Sequence, residues 1–571
     1  MRFELAVGVL EAAAFASFAL AQNSSFSDTF VSQIPQEEVT ALAQIVEDDP
    51  GDIFTLAKDW LSPEKIISPV TGKEIWYYEL EIKPFTQAVY PNLRPATLVG
   101  YDGISPGPTL IIPRGTESVV RFINNAAAEN SVHLHGSYSR APFDGWAEDT
   151  TNPGEYKDYY YPNQQSARLL WYHDHAIHIR RTLTWAEKVL NLPSGYGVYD
   201  IPLILSAKQY NEDGTLFSTQ GETTSLWGDV IQVNGQPWPF LNVEPRKYRF
   251  RFLDASVSRA FALYLVNSNA PNAKLPFQVI ASDGGLLTKP VQVSDLYISP
   301  AERYEIVIDF AQYAGQRLEI RNFPKAGGVG VEDDFLNTDK VMQFVVGTTT
   351  SSPDTSTVPE TLRSVPFPES AGNVIDHHFR FHRTNGEWRI NGVGFADVQN
   401  RILANVPRGS VQIWELENSS DGWSHPIHVH LVDFKVIARD GTRGVMPYEG
   451  EGLKDVVWLG RGESVLVEAH YAPWDGVYMF HCHNLIHEDN DMMAAFNVTA
   501  LPDFGYNETK LIDPMEERWR AKPYVMADLR TRAGPFSDAA IEESVQLLAS
   551  TEAYSNVEEV NQKLVEYWAT H

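Results

Sequence analysis

The stretch VYMFHCHNLIHEDNDMM, residues 477–493, sets the only cysteine of the chain, Cys482, between His481 and His483. A lone thiol cannot close an intrachain disulfide, so it must be lost, buried or tied up by a metal. The histidines favour the last. Sixteen histidines in 571 residues would give about half of one His-x-His pair by chance. Four are present: His133 with His135, His173 with His175, His428 with His430, and His481 with His483. On a strand, residues two apart share a face, so each pair presents two imidazoles together. Eight such donors can hold several metal ions.

The same period turns the Cys482 side chain to the face opposite His481 and His483, so one tripeptide reaches two sites. Cys482 has further donors near it in sequence: His487 five residues on, Met492 ten residues on, and His425 in HPIHVH. A cysteine, two histidines and a weak thioether form the ligand set of a blue copper electron-transfer centre. Zinc also accepts Cys and His. It explains neither the methionine nor the eight further histidines, and copper is favoured. The isolated histidines His178, His377, His378, His382, His470 and His571 read as ordinary hydrogen-bonding residues.

These donors must be carried by strands. TLIIPRGTESVVRFINN, KYRFRFLDAS, RYEIVIDF, VMQFVVG, SVQIWELEN and ESVLVEAHY are β-branched and aromatic runs separated by Gly, Pro, Asn and Asp. That pattern predicts all-β sandwiches rather than βαβ units. A Pro-Arg pair ahead of a strand recurs at Pro113, Pro245 and Pro407, each time after a glycine turn, implying three similar β units. Paired histidines fall in the first and third units only. The expected division is a leader at 1–21, a propeptide or flexible segment at 22–50, β units at 51–200, 201–347 and 373–535, a Ser/Thr/Pro-rich connector at 348–372, and a C-terminal helical tail at 536–571. The tail has helical spacing and is expected to pack on the surface.

Composition narrows the function. A net charge of −29 makes nucleic acid and anionic membrane poor partners. The N-terminus reads as a secretory signal ending at Ala19-Leu20-Ala21, so the protein is expected outside the cell, soluble and monomeric. Sequons at Asn23, Asn418, Asn497 and Asn507 fit that route. No run after the leader is long and apolar enough to span a membrane.

The motifs HLHG, WYHDHA, HPIHVH and HCHNLIHEDNDM resemble the four copper motifs of the multicopper oxidases, and the likeness covers nearly all of the chain after the leader. The resemblance implies three cupredoxin-like Greek-key β-sandwich domains and four copper ions. A type 1 copper would be held by His425, Cys482, His487 and, axially, Met492. A type 2 copper would be held by His133 and His428, and a type 3 pair by His135, His173, His175, His430, His481 and His483. It also implies one-electron oxidation of a small organic substrate, such as bilirubin, another tetrapyrrole or a phenol, coupled to reduction of O2 to water. Asp144 and Glu488 resemble the family's acids near the cluster, although Asp144 could simply cap the FDGW loop. Trp423, two residues before His425, could pass electrons inward or only pack over the ligand. The axial Met492 points to a moderate potential.

One departure bears on completeness. The resemblance implies a glycine-containing strand closing the first domain, where the chain reads RRTLTWAEKVLNLPSGYGVYDIPLIL, charged and helix-like. A missing strand there would leave an unpaired edge beside His173 and His175. A copper-binding electron-transfer protein with an incomplete cluster is therefore one other reading, and a laccase-like phenol oxidase is another, because the motifs set the copper chemistry and not the substrate pocket.

Overall fold

A computed structural model of the chain describes residues 61–571 except 90–92, 176–179, 185–189, 324–334, 336, 366–371, 421, 442 and 555. The expected leader, the 22–50 segment, Asn23 and His178 lie outside the described residues.

The strand-rich runs form six sheets, two for each β unit. The Pro-Arg repeat marks the same place in all three. The strands Ser118–Asn124, Lys247–Asp254 and Val411–Asn418 each follow one Pro-Arg pair. Each pairs parallel with an earlier strand, respectively Glu74–Gln87, Asp200–Lys208 and His377–Thr384. Each also pairs antiparallel with a later one, Glu155–Tyr161, Arg303–Asp309 and Ser464–His470. In the first two units this central strand is buried on both faces, which suits its β-branched and aromatic residues, while in the third one face is half-buried. Their arginines are satisfied by acids on neighbouring strands: Arg121 by Asp158, and Arg251 by Asp200 and Glu305.

The histidine pairs lie in the second sheet of the first and third units. In the first unit the order runs Leu110–Ile111, Arg180–Thr184, Leu170–Asp174, Val132–His135. The expectation of a missing strand is thus corrected. Arg180–Thr184 lies antiparallel to Leu170–Asp174, with Arg180 opposite His173, and covers the edge that was expected to be bare. The helix-like reading belongs to the longer stretch that begins here; its first five residues, RRTLT, include two β-branched threonines and pair on both sides. In the third unit, His425–Val429 pairs antiparallel with Gly476–Cys482, setting His428 opposite His481 and Ile427 opposite Cys482.

One expectation about the surface is also revised. The helices Asp538–Ala549 and Val557–Trp568 bury Ile541, Val545, Leu548 and Leu564 in one core with residues of the first and third units, rather than resting outside it. Between them, the Tyr554 hydroxyl donates to the Tyr160 carbonyl and accepts from the Arg140 N–H. The 348–365 part of the connector has no regular element but is laced to the second unit: Leu362 is buried in its core, and Asp354 takes hydrogen bonds from Lys247. The sequon residue Asn418 is 2% exposed, its amide donating to the Trp423 and Gly460 carbonyls, whereas Asn507 is exposed. Folded protein offers Asn507 and not Asn418 to a modifying enzyme.

Because Leu548 is fully buried, Leu548→Ala should lower stability by about 2–5 kcal/mol. A urea or thermal midpoint close to that of the parent would show that the tail is not part of the core.

Candidate metal centre

Three of the donors predicted from Cys482 outward gather at one place, with the backbone of the fourth, Met492, bonded to two of them. His425, Cys482 and His487 put their donor atoms within 4.8 Å of one another, all buried. His425 Nδ1 lies 3.0 Å from His487 Nδ1, and Cys482 Sγ lies 3.4 Å from the former and 3.6 Å from the latter. Met492 is fully buried beside them, its backbone carbonyl accepting from the Cys482 N–H and its own N–H donating to the His487 carbonyl. The short helix Leu485–Asp489, capped by Asn484, turns His487 back towards the strand end.

Hydrogen bonds assign the tautomers. The Ser420 hydroxyl donates to Asn418 Oδ1 and accepts from His425 Nε2 at 2.6 Å. That leaves the His425 Nδ1 lone pair pointing inward. His487 Nε2 faces the backbone of Thr224 and lies 3.5 Å from Ser225 Oγ, again leaving Nδ1 free for the site.

The remaining eight histidines converge between the first and third units, in three buried triads: His133, His135 and His428; His135, His173 and His483; His175, His430 and His481. His133 Nε2 lies 3.4 Å from His428 Nε2. His481 Nε2 lies 3.1 Å from His175 Nε2 and 3.3 Å from His430 Nε2. Four of these five rings commit the other nitrogen outward: His133 Nδ1 to the Asp144 carbonyl, His428 Nδ1 to the Asp455 carbonyl at 2.8 Å, His430 Nδ1 to Asp144 Oδ2 at 2.7 Å, and His481 Nδ1 to the Cys482 carbonyl at 3.1 Å. His135 is turned the other way, Nε2 donating to Asp455 Oδ1 at 3.0 Å and leaving a buried Nδ1 without a hydrogen-bond partner.

Lone pairs thus face lone pairs in a buried space. A proton shared between two such rings would make an imidazolium where burial disfavours one, whereas a metal cation is met by the lone pairs of both rings. Burial also keeps the imidazoles neutral: it depresses His133 and His425 to about 3 and His481 to about 4. It pushes the Cys482 thiol well up, so only a bound cation would hold it as thiolate. The donor set fits copper in both places, the mononuclear one by its sulfur and two nitrogens, the larger one by its all-imidazole triads.

Cys482 links the two. Its side chain enters the mononuclear group while those of its neighbours, His481 and His483, enter separate triads, as alternation along the strand predicts. Asp144 lies between triads, against His430 and 3.7 Å from His133, and burial holds its carboxyl well above the usual range. Gly145 lets its loop approach: at φ +85°, a Cβ there would lie 2.7 Å from His133 Cα. Glu488 Oε1 lies 3.4 Å from His175 Nδ1 and 3.6 Å from His481 Nδ1. Trp423 is half-buried and does not lie directly on the mononuclear group. Its ring meets Trp388 at 5.5 Å, and Trp388 in turn packs on His487 at 3.8 Å. Trp388, Ser420 and Asp455 carry no spacing signal in the sequence, because each meets its histidine only through the fold. None of His377, His378, His382, His470 and His571 joins a metal-type group among the described residues.

A mononuclear cysteine–histidine centre wired through one tripeptide to a histidine cluster, on three cupredoxin-like sandwiches, defines a copper-dependent oxidoreductase with O2 as acceptor. Three family models described as "Multicopper oxidase" match residues 86–186, 191–328 and 369–501. The chain belongs to the multicopper oxidases, and its cofactor is four copper ions. It is 62% identical to the bilirubin oxidase of Albifimbria verrucaria over 510 residues, covering 86% of this chain and 89% of that one. It is 33% identical to a laccase of Bacillus subtilis, covering 78% and 99%. The crystal structure of the McoA multicopper oxidase of Aquifex aeolicus superposes with a TM-score of 0.67 at 25% identity, covering 77% of this chain and 100% of that one.

Burial of neutral histidines has a sign that can be measured. Unfolded, they titrate near 6.5; folded, His133 and His425 do so only near 3. Between these values the unfolded chain binds more protons, so stability is fully present above about 6.5 and falls as pH drops. Copper-free protein should show a lower urea midpoint at about pH 5 than at about pH 7.5, and an equal or higher midpoint would contradict the burial argument.

Proposed function

We propose that this enzyme oxidises bilirubin or a closely related tetrapyrrole, with phenols as poorer substrates, and that it does so as a secreted monomer. The 62% identity to a bilirubin oxidase over most of both chains supports the tetrapyrrole. The leader-type N-terminus and the exposed sequon at Asn507 support secretion. No helix among the described residues is long and apolar enough to cross a membrane.

The ligand sets follow the groups in the structure. His425, Cys482, His487 and Met492 would hold the type 1 copper, His133 and His428 the type 2 copper. The type 3 pair would be held by His135, His173 and His483 on one side and by His175, His430 and His481 on the other. When bound, the four coppers supply one-electron uptake at the first site and four-electron reduction of O2 to two waters at the cluster. The chain does the rest. Trp423 and Trp388 give an aromatic path to His487, with the Arg383 guanidinium 5.6 and 5.1 Å from their rings. The Cys482 backbone runs directly into His481 and His483, so the inward path is covalent. Water formation consumes four protons, and two buried acids stand where they are needed: Asp144 on His430, Glu488 on His175 and His481. Separating the two sites keeps partly reduced oxygen away from the organic radical.

The single observation that carries this reading is that one tripeptide, His481-Cys482-His483, puts its side chains into both copper sites. The electron-transfer reading loses its ground, because the strand Arg180–Thr184 is present and the eight imidazoles converge.

Purified protein should carry about four coppers per chain, show an intense blue thiolate band, and take up oxygen faster with bilirubin than with a simple methoxyphenol. The reverse substrate order would make it laccase-like. Asp144→Asn should keep the blue band and lower the oxygen-uptake kcat by about a hundredfold or more. Undiminished turnover would remove Asp144 from proton delivery.

A further inference from the structure

The second β unit contributes no paired histidine, yet one of its side chains reaches the cluster's supports. Arg303 opens the strand Arg303–Asp309 and is completely buried. Its Nη1 and Nη2 grip Asp455 at 2.5 and 2.6 Å, and its Nε donates to the Leu169 carbonyl at 3.0 Å. Two further bonds run to the Ala301 and Asp283 carbonyls, and its own N–H donates to Asp283 Oδ1. All the guanidinium nitrogens are therefore engaged.

Both main grips lead to histidines. Asp455 accepts His135 Nε2 on its carboxylate and His428 Nδ1 on its backbone carbonyl. Leu169 immediately precedes the strand Leu170–Asp174, which carries His173 and leads into His175. The sequence leaves space for this grip. Gly136, next to His135, has φ +87°, and a Cβ there would lie 2.8 Å from Arg303 Nη2 and 2.9 Å from Asp455 Oδ2.

On the four-copper reading above, we propose that Arg303 is a positioning residue of the trinuclear centre. By fixing the Asp455 carboxylate, it selects the His135 tautomer that turns Nδ1 inward, and it holds Asp455 where its carbonyl aligns His428. A lysine cannot replace it, because one ammonium cannot grip both carboxylate oxygens and reach the Leu169 carbonyl in a fixed plane.

The bland alternative is that Arg303 only staples the units together. Arg168 provides the comparison. It grips Asp433 of the third unit with two bonds of 2.6 and 2.7 Å, is equally buried, and touches no histidine of the cluster. R303K, R168K and the parent, each expressed as full-length holoenzyme, are compared by copper per chain, the blue band, the type 2 copper EPR signal, copper retention against a chelator, and thermal midpoint. R303K should keep the blue band, change the type 2 signal, and hold cluster copper about ten- to a hundredfold less tightly. R168K should lose thermal stability alone. D455N should reproduce the R303K signature, by removing the carboxylate that Arg303 fixes. The proposal is overturned if R303K resembles R168K, with an unchanged type 2 signal and copper retention. It is also overturned if R303K and D455N both lose the blue band, since Arg303 would then serve the fold as a whole. Fewer than four coppers in the parent would sink the four-copper reading itself, whatever the variants show.

Discussion

Everything in this structure answers to the cost of burying ten imidazoles and a thiol with their lone pairs turned towards one another. Removed from water, neutral nitrogens at 3.0–3.4 Å gain nothing from each other. The chain therefore spends outward hydrogen bonds on fixing five of these rings: Ser420 for His425, Asp144 for His133 and His430, Asp455 for His135 and His428. The backbone carbonyls can only accept, and the Ser420 hydroxyl has already given its proton to Asn418, so these partners each face one tautomer. The inward geometry follows from the outward one.

How much of this could be read beforehand depends on whether the cause is local. The four His-x-His pairs and the opposed Cys482 were legible because a strand alternates faces every residue, and the structure places Cys482 apart from its neighbours in that way. The three-fold repeat was legible from Pro113, Pro245 and Pro407, since the same strand is central in every unit. Contacts between distant segments left no such mark. Trp388 lies 99 residues before His487 in sequence and packs on its ring. Asp455 reaches His135 across 320 positions. The whole stretch from Arg180 reads as charged and helix-like, whereas its first five residues have a strand to pair with on either side. The tail was readable as helices but not as core, because what its apolar face meets is supplied by other units.

The second unit shows how a part without donors can still belong to the site. Its acids Asp283 and Glu302 hold Lys454 at 2.9 and 3.0 Å, completely buried, just before Asp455. Buried ion pairs of this kind contribute little net stability, yet losing one partner leaves a charge stranded. Their value here is geometric. They pin a turn of the third unit whose next residue touches two cluster histidines, so the middle of the chain acts as a jig for its ends.

The first unit's outer sheet takes its last strand from Lys522–Pro523, and Tyr160 is sealed by Tyr554. During synthesis, the residues around His133 and His175 emerge several hundred residues before the segments that finish their packing. A ribosome-bound intermediate therefore has an unfinished amino-terminal sandwich and four of the eight cluster histidines, with His481 and His483 still to come. A cluster whose donors come from both ends of the chain is complete only once the strand Gly476–Cys482 has been made and paired.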